Sequence, residues 1–265
     1  MNSRVTSILF DLDGVFYVGE HAIPGASETL TWVREQGIPH CFLTNTSSRP
    51  RTALVEKMAR LGIETGQERL LTPPVAAVRW IKGHLAGKVA LFVPAATRQE
   101  FDSLPLVAAQ AGEPVAAVVV GDLGEGWDFA TLNRAFRLLM QQPQPLLIAL
   151  GMTRYWRAPD GLRLDVAPFV TALQYASGAE SKVLGKPAKA FFEAALSMIG
   201  APADQAIMIG DDIRGDVGGA QAAGISGVLV RTGKFQPSDL ESDIKPKAVL
   251  DSIADLPDWW RQRSH

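Results

Sequence analysis

The chain has 265 residues, 47% of them hydrophobic and 20% charged, an ordinary globular balance with ample length to bury a core. A formal net charge of −2 excludes the basic footprint of a nucleic-acid binder, and a single cysteine, Cys41, excludes an intrachain disulfide or a thiolate zinc cluster. No apolar run approaches the roughly 18 residues of a membrane span, and SILF is too short for a signal segment, so no membrane partner and a cytoplasmic location are expected.

In chain order, SILF (Ser7 to Phe10) predicts a buried strand ending on the acidic DLDG. A helix follows Pro24-Gly25, with Leu30 and Val33 inward and Gly37 as its stop. HCFLTN predicts a second buried strand ending at Thr44-Asn45. The next helix sets Leu54, Val55, Met58 and Leu61 at helical spacing before Gly62. From about Val78 to Gly178 the chain has strands of its own, KVALFV, VAAVVVG and PLLIALG, and the amphipathic helix FATLNRAFRLLMQ. YWRAPDGLRLD reads as a hairpin turning at Pro159-Asp160-Gly161. The strand–helix pattern then returns. Phe191, Phe192, Ala195, Leu196 and Ile199 mark a helix face, AIMIGDD and GVLV are strands, and a terminal helix near Leu256 to Arg261 docks Trp259 or Trp260. Such alternation predicts an α/β fold with a mostly parallel sheet covered on both faces. The expected organisation is a core of residues 1–77 and 179–265, with a second α/β module, 78–178, inserted into it.

Three polar clusters each follow an apolar strand: Asp11-Leu12-Asp13-Gly14, Thr44-Asn45 and Gly210-Asp211-Asp212. In an open parallel sheet, ligands bind outside the carboxyl ends of the strands, so these clusters converge. Asp11, Asp13 and Asp211 would repel one another there unless a cation balanced them. Magnesium takes carboxylate, water and phosphate oxygens. Lys186, in Gly185-Lys186-Pro187, would add a second positive charge, and the Thr44 hydroxyl a donor, giving an electrostatic mould for a transferring phosphoryl group. In extended backbone Asp11 and Asp13 point the same way and Leu12 the opposite way. One carboxylate can then be nucleophile and its neighbour general acid. Gly14 would let the chain turn sharply over the site.

DLDGV, the strand-end TN, GKP and GDDIRGD, in this order, resemble the haloacid dehalogenase superfamily of phosphohydrolases. The long insert resembles that superfamily's NagD-like type IIA cap, and DGLRLDVAPFVTALQYASG followed by GKP is similar to a branch acting on pyrophosphate and phosphoamino compounds. The resemblance spans nearly the whole chain. It implies a Rossmann-like parallel-sheet core with an inserted α/β cap of the C2 type, and magnesium as cofactor. It also implies that Asp11 is the phosphorylated nucleophile, and that Asp13 is the acid/base and a metal ligand through its backbone carbonyl. Thr44 and Asn45 would bind substrate, with Lys186 neutralising nucleophile and phosphate. Asp11, Asp13 and Asp211 would hold the metal, and Asp216 would orient Lys186 or metal-bound water. The implied partner is a small phosphorylated molecule, and a homodimer formed through the cap follows by the same analogy.

Other readings of these residues are weaker. An acidic strand end is often only a helix N-cap, and Asp212, like the hairpin residues Arg154 to Arg157, has no assigned role. Cys41, inside HCFLT, reads as an inert buried thiol, and His21, His40, His84 and His265 show no metal-ligand spacing. Gly218-Gly219 follows an acidic motif rather than a strand, so it is a poor dinucleotide loop. A dehalogenase would need no acid at position 13, and a phosphonatase would need an amine for a Schiff base. A phosphotransferase sharing the aspartyl intermediate, and a non-catalytic phospholigand-binding regulator on the same fold, remain as alternatives.

Overall fold

The computed structural model describes residues 5–108, 112–158 and 160–262. The chain opens with strand β1 (Ser7–Asp11), a small hairpin of β2 (Tyr17–Val18) and β3 (His21–Ala22), and helix α1 (Ala26–Glu35). Strand β4 (His40–Leu43), helix α2 (Arg51–Arg60) and the short strand β5 (Leu70–Leu71) follow. A second set then begins with α3 (Pro73–His84), β6 (Val89–Phe92), β7 (Ala117–Val120), α4 (Phe129–Leu139) and β8 (Leu146–Ala149). It continues through β9 (Tyr155–Ala158), β10 (Gly161–Leu164), α5 (Val166–Ser177) and β11 (Ser181–Val183). The chain ends with α6 (Lys189–Ile199), β12 (Ala206–Gly210), α7 (Gly219–Ala222), β13 (Ser226–Val230), β14 (Ala248–Leu250) and α8 (Leu256–Arg261). Among the described residues no helix is long and apolar enough to cross a membrane.

Contacts divide the chain into two compact units, one of residues 1–44, 51–71 and 186–265, the other of 45–50 and 72–185. Beyond the short stretch 45–50, the divisions fall at 71/72 and 185/186, against the expected 77/78 and 178/179. The difference has a structural cause. Strand β11 pairs in parallel with β8, inside the second unit's sheet, and α3 packs on the helical turn Ala95–Phe101 of the same unit.

The first unit is built on a six-stranded sheet in the order β14-β13-β12-β1-β4-β5, with every pairing parallel. Its central strands read as unbroken apolar runs because both faces are covered; SILFD, HCFL and AIMIG are buried at every residue. Successive strands run outward from β1 on one side, then return on the other through β12. The chain therefore reverses direction at β1, the place where an open α/β sheet forms its crevice. The register brings the strand ends level: Phe10 pairs with Ile209 and Asp11 with Leu43. Gly210-Asp211 and Thr44 come next in their strands.

Beneath that edge, the rings of Phe10 and Phe16 meet edge-on at 5.2 Å, and those of Phe16 and Phe42 at 5.3 Å. All three side chains are fully buried. At the chain's end, Trp260 meets Trp32 edge-on at 6.3 Å, which docks α8 on α1.

The second unit has its own parallel sheet, β11-β8-β7-β6, and its own core around Val118, Val120, Leu138, Leu147 and Val170. Trp127 stacks between Phe92 at 5.8 Å and Phe169 at 5.0 Å. The expected hairpin is the antiparallel pair β9–β10, with Trp156 opposite Arg163. Pro159 of its turn lies outside the described residues, as do His265 and the Arg157 side chain.

Candidate active site

Asp11 is the last residue of β1 and is 5% exposed. Leu12 turns into the hydrophobic core, while Asp13 is exposed, consistent with alternation of the backbone at this edge. Gly14, at φ +88°, reverses the chain, and its N–H donates to the Tyr17 carbonyl at 2.7 Å. That φ favours glycine, which lacks the Cβ that would clash there.

Lys186 lies at the start of the chain's return to the first unit and is 6% exposed. Its Nζ stands 2.6 Å from Asp11 Oδ1 and 2.7 Å from Asp216 Oδ1, so one buried ammonium bridges two buried carboxylates. Asp216 sits on a wide helical turn, Ile213–Gly218, and its Oδ2 accepts from the Asp212 N–H at 3.2 Å. Asp212 has a structural part in the same turn, its Oδ1 accepting from the N–H groups of Arg214 at 3.0 Å and Gly215 at 2.8 Å.

Asp211 completes the cluster. One carboxylate oxygen from each of Asp11, Asp211 and Asp216 lies within 4.8 Å of the other two, the only such group of His, Cys, Asp or Glu donors among the described residues. Asp211 Oδ2 accepts from the Lys234 N–H at 2.7 Å. Its Oδ1 is buried and has no hydrogen-bond partner. Asp13, which the family resemblance places at the metal through its backbone carbonyl, keeps its carboxylate outside this group.

The electrostatics follow from three buried carboxylates, two of them bridged by one buried ammonium. Burial raises the Asp11 carboxyl above its ordinary value, Lys186 works against that, and Asp211 adds to it. Burial is also the first cause for Asp211, pushed up to about 6, and for Asp216, pushed up to about 7 with Asp11 as the next contributor. Burial alone would lower Lys186, but the charges of Asp11 and Asp216 prevail and raise it. Asp13 is raised by partial desolvation, against Lys57 and Lys234, which lower it. A hard divalent cation fits this donor set. It would relieve the carboxylate repulsion, and the bare Asp211 Oδ1 is an oxygen that lacks only a positive partner.

Thr44 directly follows β4, next to the residue paired with Asp11; it is 6% exposed, and its N–H donates to the Leu71 carbonyl at 3.2 Å. Asn45 falls in the second unit, where its Oδ1 would stand 3.1 Å from a Cβ on Gly185. The structure thus gathers Asp11, Lys186, Asp211 and Asp216 in one cluster, with Asp13 and Thr44 at the same sheet edge. Arg154, Tyr155 and Trp156 lie exposed in the second unit. Cys41 is fully buried.

Sequence reasoning missed two groups. Thr232-Gly233-Lys234, just after β13, touches Asp211 and Gly14. It is a polar cluster following a buried strand, so the rule that found the others would have found it. Lys57, on α2 and 8% exposed, lies 3.3 Å from Glu20 Oε1 and 4.3 Å from the centre of the Tyr17 ring, and its charge acts on Asp13. No local signal separates it from other helix lysines.

The chain is similar to known proteins over almost its whole length. The model of the haloacid dehalogenase-like hydrolases matches residues 8–105, and a second model for HAD-like hydrolases matches residues 183–256. Phospholysine phosphohistidine inorganic pyrophosphate phosphatase of Homo sapiens is 38% identical over 96% of this chain and 93% of its own length. Among solved structures, p-nitrophenyl phosphatase from Archaeoglobus fulgidus is 26% identical with a TM-score of 0.87, covering 97% of this chain and 99% of that one. NagD from E. coli K-12 shares the fold with a TM-score of 0.85 at 22% identity, over 95% and 98% of the two chains. The cluster at the end of β1 therefore sits in a chain that belongs to the haloacid dehalogenase-like hydrolase family.

Proposed function

We propose that this hydrolase is a magnesium-dependent phosphatase, acting on a small phosphorylated molecule through a phosphoryl group carried transiently on Asp11. The observation that carries the reading is the Lys186 bridge, 2.6 Å to Asp11 and 2.7 Å to Asp216, beside the bare oxygen of Asp211. Relatives named as phosphatases support the reaction class, and the substrates in their names make phosphomonoesters, pyrophosphate and phosphoamino compounds the molecules to test.

In the first step an Asp11 carboxylate oxygen attacks phosphorus in line with the leaving group. The bond from phosphorus to the leaving oxygen or nitrogen breaks, and that atom takes its electron pair and a proton from Asp13. In the second step Asp13 takes a proton from water, whose oxygen attacks phosphorus and releases Asp11 and inorganic phosphate. The raised Asp13 carboxyl suits this exchange, since an acid/base works best when its pKa lies nearer the working pH. Lys186 holds Asp11 by Oδ1 and places positive charge beside the phosphoryl oxygens, while Asp216 holds Lys186 from the other side. The Thr44 hydroxyl and Asn45 would bind the phosphoryl group and substrate.

Asp11, Asp211 and the Asp13 carbonyl would hold Mg2+, which when bound supplies the positive charge that draws the phosphoryl oxygens and stabilises charge developing on them.

Phosphate release from p-nitrophenyl phosphate, pyrophosphate and a phosphoamino compound tests the reading. Activity is expected to need Mg2+, to vanish with EDTA, and to vanish in Asp11→Asn. An acid quench should trap one phosphoryl group on Asp11. Full turnover by Asp11→Asn, with deamidation excluded by mass, would sink it.

A further inference from the structure

Two segments far apart in the chain close on the Asp211 carboxylate. It lies between Gly14, at φ +88°, and Gly233, at φ +60°. A Cβ on Gly14 would stand 1.9 Å from Asp211 Oδ2, and a Cβ on Gly233 would stand 2.0 Å from the same atom and 2.5 Å from Gly14 Cα. Glycine is thus required twice over at both positions, for the backbone conformation and for the space. Two polar ties complete the enclosure. The Lys234 N–H donates to Asp211 Oδ2 at 2.7 Å, and the Thr232 hydroxyl donates to the Gly14 carbonyl.

The two oxygens of Asp211 are therefore unlike. Oδ2 is walled by glycine backbone and bound by an amide. Oδ1 is buried but has no donor. An unsatisfied buried acceptor is costly, and more so when charged, so a packing role alone does not explain the arrangement. A carboxylate free to turn would share its donor between both oxygens, and the glycine walls prevent that.

We propose that Thr232-Gly233-Lys234 is a positioning clamp for metal binding, which fixes the Asp211 carboxylate so that Oδ1 is the oxygen offered to the cation. The clamp acts through backbone and packing. The Lys234 side chain is exposed and reaches toward Asp212 Oδ2 at 3.7 Å, whereas its amide makes the contact with Asp211. Through the Thr232 tie the same clamp braces the turn that carries Asp13. This inference rests on the metal reading above and adds residues to it. Outer partners that orient metal ligands are typically worth about 10–100-fold in metal affinity.

Calorimetric titration of the full chain with MgCl2, without substrate, tests the clamp independently of turnover. Thr232→Val, which removes the hydroxyl at nearly constant volume, is expected to weaken Mg2+ binding roughly 10-fold or more. Gly233→Ala is expected to weaken it at least as much. Thr232→Ser restores the donor and should bind as the unaltered protein does, and Lys234→Ala, which keeps the amide, should bind no more weakly. If Gly233→Ala fails to fold, the Thr232 pair decides the question. Unaltered affinity in Thr232→Val, or an equal loss in Lys234→Ala, overturns the clamp. Absence of Mg2+ binding by the unaltered protein overturns the metal reading itself and the clamp with it, a result distinct from equal binding by every variant.

Discussion

Asp216 can occupy its place beside Lys186 only because residue 210 is glycine: a Cβ on Gly210 would stand 2.3 Å from both the Cβ and Oδ2 of Asp216. The last residue of β12 thus sets the position of a carboxylate six residues later, and through Lys186 that of Asp11.

Gly210→Ala is expected to displace Asp216 and loosen the Lys186 bridge while leaving the sheet intact, because β12 is otherwise paired on both sides. Misplacement of a positioning group by about 1 Å can cost on the order of 100-fold in rate. Steady-state hydrolysis of p-nitrophenyl phosphate should show that loss mainly in kcat, with a far-UV circular dichroism spectrum unchanged. A variant as active as the parent would refute the positional role of Gly210.

The metal-free protein should become less stable as pH rises. The folded-state values of Asp211 and Asp216, about 6 and about 7, lie above the ordinary 3.8. The folded chain then holds protons that the unfolded chain has already released. Stability from these groups is greatest below about pH 4 and declines through about pH 4–7. Mg2+ needs the ionised carboxylates, so its stabilising effect should grow over the same window. Melting curves at about pH 5 and pH 8, in EDTA and in Mg2+, check this. A larger Mg2+-induced gain in Tm at the lower pH would contradict it.

Phe16 supports the site from beneath. Its ring is fully buried and meets both Phe10 and Phe42 edge-on. Phe16→Ala should therefore cost about 3–5 kcal/mol, as large cavities in cores do. Urea unfolding would measure it, and a change below about 1 kcal/mol would show that the turn after Asp13 collapses to fill the space.

Cys41 is expected to play no part in the chemistry. It is fully buried, on a strand beside β1. Cys41→Ala should retain activity within about threefold, and a thiol reagent should label the native protein far more slowly than the unfolded one, since buried thiols are inert. Rapid inactivation by such a reagent at native pH would show otherwise.

Much of the site was legible because parallel sheets repeat one rule: a buried apolar run ends in a polar residue at the edge where ligands bind. That rule picked out Asp11, Thr44 and Asp211 and, by spacing, the separate directions of Leu12 and Asp13. The short edge strands β5 and β14 were not legible, since two or three residues carry no periodicity. Strand β11 was not legible either, since three residues carry no periodicity and pairing with β8 is a long-range choice.

The amino-acid sequence by itself determined the α/β class, the strand-end aspartates and the order of the motifs, because these depend on burial and on backbone period. Only the tertiary structure decided that Lys186 binds Asp11 and Asp216 at once, and that Gly14 and Gly233 make room for the Asp211 carboxylate. Each of these depends on the approach of backbone segments distant in the chain, which no local pattern of residues encodes. The pair at the end of β1 was visible from the start; what holds Asp211 beside it became visible only once β13 had brought its following loop to the same edge.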